Sequence, residues 1–154
     1  MNARVAVLSS LVVLVSLSMP VGAQKPPDAL DSIDAEWAGI QTDLLEVRRM
    51  SDNTVRVRWR WRNTGAKSAH LFSSDEGRDA LKQGTYLLDP VNKKKHFAVT
   101  DAGGKVVGTA LGFTDLDAKG AISVWAKFPA PPAGVDKITV VIAKTPPFED
   151  VALK

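Results

Sequence analysis

The sequence predicts an all-β fold, and three observations lead to this prediction. Residues 55–62 alternate a large apolar side chain with an arginine at every step, which is the period of a strand with one buried face. Short apolar runs recur along the chain, separated by turn-forming residues such as those at 63–65 and 89–92. Helical periodicity is scarce. An antiparallel β-sandwich is favoured over a closed barrel, because the stretches 67–84 and 129–132 suit crossover connections better than uniform hairpin turns.

The strand at 55–62 has two chemically different faces. Its side chains are expected to alternate between core and solvent: Val55, Val57, Trp59 and Trp61 inward, and Arg56, Arg58, Arg60 and Arg62 outward. Residues 40–49 are predicted to form the preceding strand, and residues 51–53 the turn that joins the two into a hairpin. The four tryptophans of the chain are expected to supply much of the core.

Residues 24–36 precede the hairpin and are predicted to be a linker or a short helix. A Lys-Pro-Pro sequence at 25–27 is typical of a linker. Asp28 as an N-cap, followed by the apolar spacing from Leu30 to Trp37, favours a brief helix. Both interpretations are kept, because a helix this short depends on packing against the rest of the protein.

A further helix and several strands are predicted beyond the hairpin. Ser73 and Glu76 have the spacing of a capping box, so a helical turn is expected over 74–83, ending at Gly84. The remaining strands are predicted at 86–88, 95–100, 105–109, 121–128 and 137–143, with a last short strand around Val151. The β-sandwich domain is therefore expected to occupy residues 37–154.

Residues 1–23 are predicted to be a cleavable signal peptide. Arg4 provides a positive charge, residues 5–18 are apolar, and the small residues at 21–23 match a cleavage site after Ala23. The apolar run of about 14 residues is shorter than the roughly 20 that span a bilayer. We therefore expect a periplasmic or secreted protein that does not span the membrane.

Composition narrows the classes of partner. The chain has no cysteine, so neither a disulfide framework nor a lipid-modified cysteine is expected. Its 20 lysines and arginines against 17 acidic residues give a net charge of only +3. A nucleic-acid-binding domain has a much stronger basic bias, so we expect no nucleic acid partner.

The titratable residues do not form a recognisable catalytic set. With no cysteine and only two histidines, a general base is scarce. His96 follows three lysines on a predicted strand, where we expect a solvated side chain. His70 lies near Ser73 without the pattern of a nucleophile elbow. We therefore expect structural roles for both histidines, no enzyme activity and no cofactor.

Residues 115–126 match a calcium-binding loop at its first, third and sixth positions. The pattern fails at Lys119, whose ammonium group would repel the ion, and at Ala126, where a bidentate glutamate is required. We expect a plain loop leading into the 121–128 strand, and no metal site.

Four blocks of sequence resemble a known family. They are Arg58-Trp59-Arg60-Trp61-Arg62-Asn63-Thr64-Gly65, Tyr86-Leu87-Leu88-Asp89-Pro90 with Lys94 and Lys95, Trp125-Ala126-Lys127-Phe128-Pro129-Ala130-Pro131-Pro132, and Pro146-Pro147-Phe148-Glu149-Asp150-Val151. At this spacing they resemble a family of exported bacterial domains of uncharacterised activity, found alone or ahead of an OmpA-type peptidoglycan-binding domain. The resemblance covers most of residues 38–154 and implies an immunoglobulin-like sandwich in the cell envelope. It implies no catalytic residues, and we expect no OmpA-type contact with peptidoglycan from this chain.

The row of Arg56, Arg58, Arg60 and Arg62 is the candidate anion-binding site. Along a strand these side chains form a stripe about 20 Å long. Such a stripe suits an anionic envelope polymer, for example an acidic glycan or lipid phosphates. The alternative is a solvated sheet face on which acids such as Glu46 pair with the arginines, and the sequence favours this second interpretation.

These expectations lead to a non-catalytic exported binding or interaction module of the bacterial cell envelope. Its partner is expected to be an envelope protein or an anionic glycan or lipid surface. The alternative is a structural accessory subunit of an envelope assembly that pairs with its partner through an exposed edge strand. A complex of fixed composition, isolated from envelope extracts, would favour the accessory role.

Overall fold

A computed structural model describes residues 25–154. The predicted signal peptide at 1–23 and its cleavage after Ala23 lie outside the described residues. Within 25–154, every helix is too short or too polar to cross a membrane.

The described chain is mostly β, with one short helix. Its elements are β1 (Asp31–Asp34), β2 (Ile40–Arg49), β3 (Thr54–Asn63), β4 (Ala69–Phe72), α1 (Ser74–Lys82), β5 (Tyr86–Asp89), β6 (Lys94–Phe97), β7 (Thr114–Leu116), β8 (Ala121–Pro129), β9 (Lys137–Val141) and β10 (Phe148–Ala152). One four-stranded sheet has the order β1-β2-β3-β8, a second has the order β10-β9-β5-β6, and β4 pairs with β7. All pairs are antiparallel. The structure therefore confirms the prediction of a mostly β fold built from antiparallel sheets.

The predicted hairpin is confirmed by β2 and β3. Trp59 lies opposite Leu44, and Val57 lies opposite Val47, with a shift of register between Leu44 and Glu46. All four inward side chains of β3 are fully buried, as the alternation predicts: Val55, Val57, Trp59 and Trp61. A β-bulge in β2 lets the register shift while its apolar residues stay inside.

Apolar side chains from both four-stranded sheets form one hydrophobic core. Trp61 packs edge-to-face against Trp59 at 5.8 Å between ring centroids, and it also contacts Phe72 at 5.4 Å. Ile138 and Leu87 contribute from the second sheet. Edge-to-face aromatic pairs add stability beyond the area they bury. The aromatic cluster therefore lies at the centre of the core.

One of the four tryptophans, Trp125, differs from the expectation of a core position. Trp125 is 37% exposed, whereas Trp37 is partly buried and packs edge-to-face against the buried Phe72 at 4.9 Å between ring centroids. On β8 the buried positions are Val124, Ala126 and Phe128, so Trp125 between them faces outward. The expectation that Trp125 belongs to the core is therefore wrong.

The prediction of a short helix over residues 28–37 is also wrong. Residues Asp31–Asp34 form β1, in which Ile33 lies opposite Thr42 of β2. The backbone of this segment obtains its hydrogen bonds from β2, which a helix too short to be stable by itself cannot match. Pairing with a neighbour decides the conformation here, and the apolar spacing does not.

Residues 105–109 do not form the predicted strand, and make isolated bridges instead. Gly108 bridges to Ala126, and the backbone N–H of Lys127 donates to the Val107 carbonyl at 3.0 Å. A Cβ on Gly108 would lie 2.4 Å from the Trp125 carbonyl oxygen, so only glycine permits this approach. The segment thereby covers the edge of β8 that β3 leaves open.

Helix α1 confirms the predicted capping box. The Ser73 backbone N–H donates to the Glu76 carboxylate at 2.9 Å, and the Glu76 N–H points back to the Ser73 hydroxyl. Gly77 inside the helix packs against Gly112, whose carbonyl oxygen would lie 2.5 Å from an added Cβ. The two short strands on either side of this region, β4 and β7, are absent from the sequence-based prediction.

Replacing Trp59 with alanine tests the aromatic core. We expect Trp59→Ala to lower the free energy of unfolding by about 3–5 kcal/mol, because a fully buried indole is removed and a cavity is left. Urea denaturation followed by circular dichroism measures this change. The matched control is Trp125→Ala, which removes the same side chain from the surface and should cost under about 1 kcal/mol. Equal losses from both variants would contradict the assigned burial.

Candidate functional site

The four predicted arginines project from the outer face of the β1-β2-β3-β8 sheet, which we call the outer face. Their side chains are exposed to different degrees: Arg56 by 32%, Arg58 by 49%, Arg60 by 20% and Arg62 by 24%. A fully solvated row would show similar, high exposures. The differences arise because acids on neighbouring strands bind some of the guanidinium groups and leave others free.

Asp43 is the main acidic partner, and its side chain has no solvent exposure. One carboxylate oxygen accepts hydrogen bonds from the Nε atoms of Arg60 at 3.0 Å and Arg62 at 3.1 Å. The other accepts from the Ser32 hydroxyl at 2.6 Å. Burial by itself raises the pKa of Asp43, but the hydrogen bonds from Arg62, Ser32 and Arg60 outweigh burial, so the pKa lies below its ordinary value. Asp43 is therefore ionised and paired.

Further contacts occupy three of the arginines. Arg60 binds Asp28 through two parallel hydrogen bonds of 3.1 Å, and Arg62 donates to the Gln41 side chain at 2.7 Å. Arg56 binds Glu46 at 2.7 Å. The hydrogen bond from Arg56 lowers the pKa of Glu46. The expected pairing of Glu46 with the row is confirmed, and these three guanidinium groups support the sheet.

Arg58 differs from its neighbours. Its single ion pair within 25–154, to Glu46, has a distance of 3.8 Å, and about half of its side chain is exposed. On β8 its register partner is the exposed Trp125. The structure thus brings together one available guanidinium and one available indole on adjacent strands. Strict alternation along 121–128 is the signal that could have placed Trp125 here.

The two histidines occupy opposite environments. His70 is half exposed, with its Nδ1 2.7 Å from the Asp115 carboxylate and its ring 4.9 Å from that of Phe113. His96 is only 6% exposed, so the expectation of a solvated side chain is wrong. His96 lies opposite the buried Leu87 of β5, which places it on the inner face of its hairpin.

The calcium-like sequence at 115–126 folds as strand, turn and strand. Asp115 belongs to β7 and contacts His70, and the Lys119 ammonium donates to the Thr64 carbonyl. Among residues 25–154, no group of three or more potential ligands lies close enough to hold a metal ion. A turn followed by β8, as predicted, accounts for this segment.

Comparison of the chain with protein-family models, curated proteins and solved structures finds no match. The resemblance to exported bacterial domains therefore stays a prediction.

Replacing Asp43 with asparagine tests the ion network of the outer face. We expect Asp43→Asn to lower the free energy of unfolding by about 3 kcal/mol at pH 7, because it removes the buried charge that Arg60 and Arg62 share. Urea denaturation measures the loss. Asp136→Asn makes the same chemical change at an exposed position and should stay within about 0.5 kcal/mol of the unmodified protein.

The lowered pKa of Asp43 predicts that the effect of Asp43→Asn on stability depends on pH. The pKa of Asp43 is lowered by folding, so its contribution is present above the unfolded pKa of about 4 and is lost as pH falls through the folded value. The difference in unfolding free energy between the unmodified protein and Asp43→Asn should therefore shrink below about pH 4. A difference that stays constant from pH 7 to pH 3 would contradict an ionised Asp43.

Proposed function

We propose that this protein is a non-catalytic exported binding module of the bacterial cell envelope, and that its outer face binds an acidic glycan at Arg58 and Trp125. We also propose that the two four-stranded sheets form an immunoglobulin-like sandwich. The shared hydrophobic core of the two sheets supports that architecture. One observation carries the binding proposal: an available guanidinium lies beside an exposed indole on a rigid sheet.

The chemistry of the pair suits an acidic sugar. An indole offers a flat apolar face to the C–H groups of a sugar ring. A guanidinium binds a carboxylate or sulfate through two parallel hydrogen bonds. Register pairing places the Cβ atoms of Arg58 and Trp125 about 5 Å apart, which is within the width of one sugar residue. Together they can hold the ring and the acidic group of the same unit.

The other three arginines of the row are already bound to acidic side chains. Arg56, Arg60 and Arg62 are bound to Glu46, Asp28 and Asp43, as described above. Their charges are offset by Glu46 and Asp43 of β2 and by Asp28, which precedes β1, so they add little net attraction for a polymer. The anion-binding hypothesis for the whole row thus narrows to Arg58.

An accessory role through edge-strand pairing has less support. The 105–109 segment already bonds the second edge of β8. At the other sheet, β6 carries the exposed residues Lys94 and Lys95, and β10 has an irregular register before Val151. Lysines and bulges at an edge discourage pairing with another chain. The edge of β1 stays open among residues 25–154. Binding through the face is preferred, because the face presents the exposed Arg58 beside the exposed Trp125.

Retention on immobilised heparin, a polymer of uronate and sulfated sugars, tests the proposed site. We expect Arg58→Gln to weaken binding about tenfold, because a charge-assisted hydrogen bond is lost at an exposed position that does not support the fold. Trp125→Ala should weaken binding as well, and heparin should quench the indole fluorescence of the unmodified protein in a saturable way.

Two matched variants control for charge and for aromatic surface. Arg78→Gln removes an exposed guanidinium from α1, and Phe113→Ala removes an exposed ring from the β4–β7 region. Neither should change retention. If Arg58→Gln elutes at the same salt concentration as Arg78→Gln, the outer face is not the binding site.

A further inference from the structure

A cleft separate from Arg58 and Trp125 of the outer face lies where the two four-stranded sheets end. It is a cleft of about 530 Å³ formed by the end of β2, the turn before β3, the β5–β6 hairpin and the proline-rich loop after β8. Its lining residues are Arg49, Asn53, Asn92, Lys94, His96 and the loop residues 130–133. We call this surface the end cleft.

The proline-rich wall of the end cleft is held in place by hydrogen bonds. The Arg49 guanidinium donates to the carbonyl oxygens of Pro131 at 2.8 Å and Pro132 at 3.0 Å. The Ala130 N–H donates to the Asn53 carbonyl at 3.1 Å. The loop is therefore tied to the β2–β3 hairpin on both sides, so the cleft has a fixed shape before any ligand binds.

The charged residues that line the end cleft are all positive. Within residues 25–154, neither Arg49 nor Lys94 lies within ion-pair distance of an acidic side chain. The buried carboxylate of the same hairpin, Asp89, accepts hydrogen bonds from the N–H groups of Val91 and Asn92 and from the Asn92 side chain. The turn occupies the lone pairs of Asp89, and the loop occupies the donors of Arg49, which leaves the Lys94 ammonium for a ligand.

The buried imidazole of His96 is a further indication that the end cleft binds a ligand. His96 is one of the residues that line the cleft, it is more than nine-tenths buried, and its Nε2 has no hydrogen-bond partner among residues 25–154. Burial, followed by the charge of Lys94, lowers the pKa of His96, while Asp89 opposes this shift. A neutral imidazole with an unpaired buried nitrogen costs folding free energy, and such groups are enriched at binding sites.

We infer that the end cleft binds a phosphate group, with Lys94 as the main cationic contact and His96 as an imidazole partner. The side-chain amide of Asn53 and the second N–H of the Asn92 amide, whose first N–H donates to Asp89, are the further donors. Phosphate offers three or more acceptor oxygens and so can use donors from several directions, whereas a carboxylate has only two oxygens. Arg49 acts as a positioning residue, because its donors already hold the loop. The inference does not depend on the glycan site of the outer face.

Titration with inorganic phosphate at constant ionic strength tests this inference, with the histidine ring signals and the backbone amides followed by NMR. We expect a saturable shift of the His96 ring and of the amides around residues 92–96. Lys94→Gln should weaken phosphate binding about tenfold. Lys94 is exposed and unpaired within the described part of the chain, so this variant should fold normally.

Arg58→Gln is the matched control, because it removes one positive charge from the other proposed site. It should leave phosphate binding unchanged while it weakens heparin retention. The two proposals can fail separately, because Arg58→Gln tests the outer face by heparin retention and Lys94→Gln tests the end cleft by the affinity for free inorganic phosphate.

Sulfate provides the pH test, because it stays fully ionised from pH 8 to pH 5 and any change of affinity must come from the protein. A bound anion favours the protonated imidazole, so sulfate should raise the pKa of His96, and its affinity should increase as pH falls through that pKa. Asp89, Lys94 and Arg49 are the charged groups around the ring. Burial raises the pKa of Asp89, but the hydrogen bonds from Asn92 and Val91 outweigh burial, so the pKa lies below its ordinary value and Asp89 stays ionised over this range. His96→Gln should abolish the pH dependence, and the His96 titration curve with and without sulfate gives the same answer if that variant does not fold.

Three results would overturn the inference. The first is the absence of a saturable shift at His96 with phosphate. The second is an equal shift with acetate, which would indicate a carboxylate site, or with chloride, which would indicate screening of charge alone. The third is unchanged phosphate affinity in Lys94→Gln.

Discussion

The buried carboxylate of Asp43 is the interaction on which the outer face depends. Four guanidinium groups on one strand repel one another, and two of them, those of Arg60 and Arg62, share this single anion. Ser32 adds a hydrogen bond from β1, so the same carboxylate joins the first three strands of the sheet. Buried ion pairs are stable only when their remaining lone pairs are used, and Asp43 meets this condition. An arginine-rich strand can therefore occupy the middle of a folded sheet.

This arrangement separates cations that hold the fold from cations that are free to bind. Arg56, Arg60 and Arg62 are structural, and Arg49 holds the proline-rich loop. Among residues 25–154, the acidic neighbour of Arg58 is the more distant Glu46, at 3.8 Å. Counting basic residues along the strand would give all four of its arginines equal weight, whereas burial and hydrogen bonding distinguish them. The proposed contacts with ligands follow from that distinction.

Local patterns explain which parts of the structure the sequence predicts. The alternation at 55–62 fixes β3, and the Ser73–Glu76 spacing fixes the start of α1, because both depend on neighbours in the chain. Strand β1 depends on hydrogen bonds to β2, so its own residues do not specify it. The outward position of Trp125 follows from the strand period, because its neighbours Val124 and Ala126 on β8 are buried, whereas the general tendency of tryptophan to lie inside predicts the opposite.

The end cleft could not be predicted from the sequence, because its residues come from stretches about 40 positions apart that only the tertiary fold brings together. The lysines at 93–95 indicate solvent exposure for the whole stretch, yet the strand period turns His96 to the inner face of the hairpin. Pairing with Leu87 is the physical reason, and it becomes visible only when the register is known.

The bridge between Gly108 and Ala126 has a consequence for assembly. Addition of a strand from another molecule requires an open edge, and a sheet with one open edge can accept one such strand. Residues 105–109 cover the β8 edge, so among residues 25–154 β1 is the edge of this sheet that stays open. Pairing through this sheet alone therefore joins two molecules and then stops.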